Sequence, residues 1–195
     1  FLKIPFAAKT LGADLISVSA HKIHGPKGAG ALYISPRLKS FPALLQGGGQ
    51  ESGLRSGTEA TPAIFGFGAA CEAGKATFQE DVAREKAMLE ALTEELSALE
   101  GLKINGCHEA PHILSLSVPG LPTQNTINIL QDHGICVSAG SACAKGHRSH
   151  VLVAIGCSDK VMDGSFRVSI CRETTEDELN ALVSVLKTEV LPRRR

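Results

Sequence analysis

Two short stretches concentrate the residues able to do covalent chemistry. The first, SAHKIHGPKGAG at residues 19–30, sets two lysines and two histidines among glycines, directly after an apolar run. A lysine amine adds to an aldehyde only after losing its proton, which burial or nearby positive charge promotes. Lys22 follows His21 and enters a glycine-rich loop. Ser19, His21 and the N–H groups of such a loop suit a phosphate. The spacing is not that of a P-loop, because GPKGAG lacks the G-x-x-x-x-G-K-[ST] order. On residue types alone, an aldehyde-binding lysine and a plain surface lysine in a turn both stay open.

The second stretch, VSAGSACAKGHRSH at residues 137–150, places Cys143 between Gly140 and Gly146. Lys145, His147 and Arg148 follow it and form a basic neighbourhood that favours the thiolate. Small, polar, glycine-bracketed surroundings argue against the alternative, a buried structural thiol. Cys71, Cys136 and Cys171 stand in apolar runs and read as packing residues, while Cys107 and Cys157 fall in loops. No paired cysteine spacing occurs, so no zinc site and no disulfide framework is expected, and the thiols read as reduced, in the cytoplasm. His147 and His150 have no second pair elsewhere, so no metal is expected at them.

The elements that must position these residues read as α/β. Residues 14–20 and 30–35 are short β-branched runs, the first read as a buried strand. A long loop with three consecutive glycines follows at 44–62, and its Gln50, Arg55 and Thr58 favour a functional loop. Thr61 and Pro62 read as the cap and first position of a helix over 61–74. Val82, Leu89, Leu92, Leu96 and Leu99 mark one face of a long amphipathic helix over 82–99. Further strands are expected at 112–118, 135–140 and 166–170, and helices at 124–133 and 175–190. The last opens on a capping box, Thr175 with Glu178.

The chain of 195 residues carries 20 basic and 20 acidic side chains. That balance argues against a nucleic-acid or membrane-surface role, and the basic PRRR end reads as solvated. No run reaches the roughly 18 apolar residues of a membrane span, and no signal pattern opens the chain. It opens on FLKIPF, as if part of something longer.

Four stretches in order carry a resemblance. SAHKIHGPKGAGALY resembles the pyridoxal-phosphate (PLP) lysine segment of cysteine desulfurases, in the class-V aminotransferase group. GGGQESGLRSGTEATP resembles that family's arginine–threonine loop, VSAGSACAKG its reactive-cysteine loop, and FRVSICRETTEDEL its closing strand and arginine. The resemblance implies a fold type I architecture: residues 1–78 as the end of a large PLP-binding domain, 79–100 as a linking helix, and 101–195 as a small α/β domain. It implies that Lys22 binds the PLP aldehyde and that Ser19 and His21 contact its phosphate. Thr58 would reach the phosphate of a neighbouring subunit's site, hence a homodimer. Arg172 would grip the substrate carboxylate, Arg167 reads as structural, and Cys143 would accept sulfur from L-cysteine, leaving L-alanine and a persulfide for an iron–sulfur scaffold or thiolation acceptor. The family's cofactor-stacking histidine and its ring-pairing aspartate and glutamine have no counterpart here, so this chain alone is expected to bind PLP weakly and turn over slowly. Selenocysteine lyase and a non-catalytic module that binds a sulfur acceptor are the alternatives.

Overall fold

Leucine and phenylalanine side chains sort the chain into two unequal halves. The structure is a computed structural model that describes residues 1–107, 109–140 and 148–194. Its contacts divide it into Phe1–Phe78 and Gln79–Arg195.

In the first unit a single helical turn, α1 (Ala8–Leu11), ends on left-handed Gly12. It precedes β1 (Leu15–Ser19), which pairs antiparallel with β2 (Gly30–Ile34) from Leu15↔Ile34 to Ser19↔Gly30. A two-stranded ribbon is marginal by itself. Here the connecting loop is tied at its root: Ala20 N–H donates to Ala29 O at 3.0 Å and Gly25 N–H to Ala20 O at 2.9 Å. Contrary to the sequence reading, β1 is not buried; its residues alternate between exposed and half-buried. The physical reason lies in this unit's composition of layers. Only Ala20 and Ile23 are buried apolar residues there, whereas Phe1, Ile4, Leu11, Leu44 and Phe65 are exposed. An apolar groove of about 530 Å3 runs past Phe6, Ile16, Val18 and Phe67.

Where the sequence suggests two helices, the chain forms one, α2 (Thr61–Ser97). Thr61 is its first residue rather than its cap, and Pro62 occupies the first turn, where a missing N–H costs nothing. Gly66 does not break it. A Cβ there would lie 3.1 Å from the Pro26 ring, so this glycine marks a close approach rather than a stop.

The second unit holds the core. β3 (Lys103–Ile104), β4 (Ile113–Ser117) and β5 (Ser165–Ser169) form an antiparallel sheet in the order β3-β4-β5. α3 (Thr123–Asp132), α4 (His150–Ala154), α5 (Asp159–Asp163) and α6 (Glu176–Val185) accompany it. Leu92 and Leu96 of α2, Leu114 and Leu116 of β4, Phe166 and Val168 of β5 and Leu182 of α6 share one buried cluster. The capping box is present: Glu178 N–H donates to Thr175 Oγ1 at 3.3 Å, and Thr175 N–H donates to the Glu178 carboxylate at 2.8 Å. After α6 the helix widens by one π-type turn over Leu186–Val190. The expected strand at 135–140 shrinks to one bridge, Ser138↔Arg167. Gly140, two residues after that bridge, has φ 118°, a conformation that favours glycine.

Candidate active site

The placement of Lys22 follows from its neighbours. Residues Ala20–Ile23 form a single 3-10 turn after β1, in which Ala20 and Ile23 are buried and His21 and Lys22 are exposed. The apolar members face inward, so the two polar ones must face out. Ser19, at the end of β1, is exposed as well. The turn closes on His24 in the left-handed region at φ 66°, a conformation uncommon outside glycine. The Lys22 side chain makes no hydrogen bond or ion pair among the described residues. Of the two ways to activate an amine, burial is not supplied by this unit.

Thr58 stands on a loop that is closed upon itself. Leu44 N–H donates to Leu54 O at 3.0 Å, and Ser56 N–H to Leu45 O at 3.1 Å. Ser56 Oγ donates to Gly48 O at 2.8 Å, and Gly57 N–H to Gln50 Oε1 at 3.4 Å. At its tip Glu51 and Ser52 both adopt positive φ, 51° and 57°. Two adjacent non-glycine residues in that region cost on the order of 1 kcal/mol each and persist only where the surroundings impose them. The loop leaves Thr58 exposed immediately after Gly57. Arg55 is spent internally, donating to Ser56 O at 2.9 Å.

Arg172 lies in the turn that links β5 to α6. Thr174 N–H donates to Cys171 O at 3.0 Å, and Cys171 N–H donates to Thr174 Oγ1 at 3.0 Å. Arg172 is half-buried, and its Nε donates to Glu173 Oε1 at 2.9 Å. That hydrogen bond holds its guanidinium protonated even more firmly than usual, against a smaller opposing effect of burial. Arg167 sits on β5, where its Nε donates to Ser169 Oγ at 3.2 Å and its backbone pairs with Ser138.

Cys143, Lys145 and His147 lie outside the described residues. Arg148 is described, and it is engaged by two carboxylates. Its Nε and Nη2 bind the Asp163 carboxylate at 2.9 and 3.1 Å, and its Nη1 reaches Asp159 at 2.8 Å. Two carboxylates raise its already high pKa and compensate its charge. Cys136 is also corrected: it is exposed, not packed, because the segment carrying it is not a strand of the sheet. Cys71 and Cys171 are half-buried, and burial pushes the Cys71 thiol pKa up.

One residue of this site has no local sequence signature. Arg84 of α2 donates from Nη1 to Thr174 O at 2.9 Å and from Nη2 to Cys171 O at 3.3 Å and to Arg172 O. Its partners lie almost ninety residues onward in the chain, so spacing could not reveal it.

Comparison with known proteins assigns this scaffold. The class-V aminotransferase family matches residues 1–182. The chain belongs to the class-V aminotransferase family. Among its relatives, a mitochondrial cysteine desulfurase of Arthroderma benhamiae is 39% identical over 194 residues, covering 96% of this chain and 38% of that protein. The cysteine desulfurase IscS of Vibrio atlanticus is likewise 39% identical, over 96% of this chain and 47% of that protein. The crystal structure of a NifS-like protein from Rickettsia africae superposes with a TM-score of 0.85 at 31% identity, over 96% of this chain and 50% of that one. This class-V aminotransferase chain thus has the α/β fold of fold type I enzymes and spans half or less of the length of these relatives. Among the described residues, no helix is long and apolar enough to cross a membrane.

Proposed function

We propose that this chain carries the lysine, the substrate arginine and the sulfur-accepting cysteine of a cysteine desulfurase, which converts L-cysteine to L-alanine and leaves the sulfur as a persulfide on Cys143. The observation that carries this reading is the Ala20–Ile23 turn, which presents an exposed Lys22 amine, without a partner among the described residues, beside Ser19 and His21.

The donor set fits PLP. Lys22 supplies the amine for its aldehyde, and Ser19 and His21 supply a hydroxyl and an imidazole for its phosphate. Thr58 supplies a hydroxyl to the phosphate of a second subunit, so a homodimer is part of the proposal. When bound, PLP supplies an electron sink that lets the substrate's Cα proton leave. Lys22 would hold and move that proton at Nζ. Arg172 holds the substrate carboxylate through its Nη groups, which carry no hydrogen bond among the described residues. The Cys143 thiolate forms an S–S bond to the substrate sulfur as the substrate's Cβ–S bond breaks. The bonding pair stays with carbon, which takes a proton and becomes the methyl group of alanine. The Cys143 persulfide then passes its sulfur to an iron–sulfur scaffold or thiolation acceptor in the reducing cytoplasm. Selenocysteine would enter by the same steps, and comparing alanine release from the two substrates separates a desulfurase from a selenocysteine lyase.

A second reading rests on the exposed apolar face of the first unit. Contiguous exposed apolar patches on a soluble protein often mark interaction surfaces. In that reading the chain alone binds PLP weakly and acts as a module that docks a sulfur acceptor. The test is borohydride reduction in the presence of PLP, followed by mass mapping and an assay of alanine release. A pyridoxyl adduct on Lys22 and one added sulfur on Cys143 support the enzyme. Neither modification, with the acceptor still bound, supports the module.

A further inference from the structure

We infer that Arg84 is a positioning residue: its guanidinium fixes the turn that carries Arg172, and through that turn sets the grip on the substrate carboxylate. The inference rests on the role proposed for Arg172.

Three backbone carbonyls of one turn, those of Cys171, Arg172 and Thr174, converge on the Arg84 guanidinium. Carbonyl oxygens brought this close repel one another unless a cation sits among them. A planar guanidinium with five N–H donors serves several acceptors at once, whereas a lysine ammonium is a point charge on a flexible stem. The peptide groups on either side of the Arg172 Cα are therefore both anchored, by Cys171 O before it and its own carbonyl after it. Fixing those two peptides fixes where the Arg172 side chain starts. Its guanidinium lies at the far end of a long stem, so a small backbone rotation becomes a large displacement of the donors.

The same helix contributes a second influence. Asp81, one turn before Arg84 on α2, adds to the negative field that holds Arg172 protonated. Local restraints on the turn include the Thr174 hydroxyl and the capping box at Thr175. Among the described residues, it is Arg84 that ties the carbonyls of the turn to an element distant in sequence. The Arg84 side chain is itself steadied at Met88, with Nη1 3.1 Å from Sδ.

The substrate carboxylate keeps its charge throughout the reaction, so its grip is largely shared by the ground and transition states. Loosening its grip therefore raises KM and spares kcat. In the PLP-loaded protein, Arg84→Met keeps the apolar stem and removes the donors. It is expected to raise the KM for L-cysteine roughly tenfold, with kcat changed less than about twofold. Arg84→Lys recovers part of that loss. In an Arg172→Gln background, Arg84→Met adds no further rise, because the residue it positions is gone. Hydrogen exchange supplies a readout that needs no turnover: the amides of residues 171–175 exchange faster in Arg84→Met, while those of β4 and β5 keep their protection. Unchanged exchange in the turn, or a KM rise of equal size in both backgrounds, overturns the positioning role. Should Arg84→Met lose protection throughout the sheet, the same two criteria are read on Arg84→Lys. If the unsubstituted protein releases no alanine, the desulfurase reading fails, and exchange still decides the structural part.

Discussion

Gly30 lies directly opposite Ser19 in the β1–β2 ribbon, and a Cβ on it would fall 2.6 Å from the Val18 carbonyl oxygen. The strand that ends at Ser19 is thereby held close to its partner just before the turn that presents Lys22. Backbone oxygen cannot yield as the tip of a flexible side chain can. Gly30→Val is expected to push β2 away from β1 and to lower pyridoxyl labelling of Lys22 several-fold, read by borohydride trapping and mass mapping. Labelling equal to the unsubstituted chain would show that the pairing does not govern the turn.

The roles proposed for Cys143 and Lys22 are separable by their products. Lys22→Ala is expected to abolish both trapping and alanine release. Cys143→Ser is expected to keep the trapped cofactor while losing the sulfur that adds 32 Da, roughly one sulfur atom, to a competent thiolate. A Cys143→Ser protein that still passes sulfur to an acceptor at the full rate would remove that residue from the reaction.

Much of this architecture is legible in local pattern. The apolar runs around Ile16 and Val18, and around Leu114 and Leu116, lie in the strands β1 and β4. Thr175 and Glu178 announce the start of α6. What fails to show is what depends on distant neighbours. Gly66 reads as a weak point in a helix, yet it is where the Pro26 ring approaches α2. Residues 135–140 look like a strand because composition cannot tell a paired segment from one that touches the sheet only at Ser138. In the candidate site, Ser19, His21 and Lys22 fall within four residues and need no long-range folding to be neighbours. The presentation of Thr58 depends on left-handed Glu51 and Ser52, and the seat of Arg172 depends on Arg84, neither of which composition signals.

The two units should respond differently to truncation of large side chains. Phe166 is 1% exposed and belongs to the cluster of the second unit. Phe166→Ala removes a ring and leaves a cavity, at an expected cost of about 3–5 kcal/mol. Leu44 is 82% exposed, and Leu44→Ala is expected to change stability by less than about 0.5 kcal/mol. Urea unfolding monitored by far-UV circular dichroism measures both. Equal costs at the two positions would mean that the core is not where the buried cluster lies.

Thiol reactivity gives a pH test. Burial raises the Cys71 pKa, so its thiol is disfavoured as a thiolate. A raised folded-state value contributes stability that is fully present below the unfolded pKa and is lost as pH rises through the folded one. Cys71 should therefore resist alkylation near neutral pH, and stability should decline with rising alkalinity above the usual thiol range. Cys136, exposed, should be alkylated faster. Peptide mass mapping after timed iodoacetamide treatment measures the order, and faster labelling of Cys71 would contradict it.

Glu173 and a substrate carboxylate would compete for the same cation. Glu173 accepts from Arg172 Nε at 2.9 Å, and this contact is partly exposed to water, which limits its strength. In the role proposed for Arg172, a bound amino acid would share the guanidinium with that neighbour or displace it. Glu173→Gln keeps the shape and removes the competing charge, so the KM for L-cysteine is expected to fall about two- to fivefold, the size of a screened, exposed ion pair. Because Arg172 stays charged in either case, kcat should hold. The opposite result, a higher KM, would mean that Glu173 orients the Arg172 fork rather than occupying it.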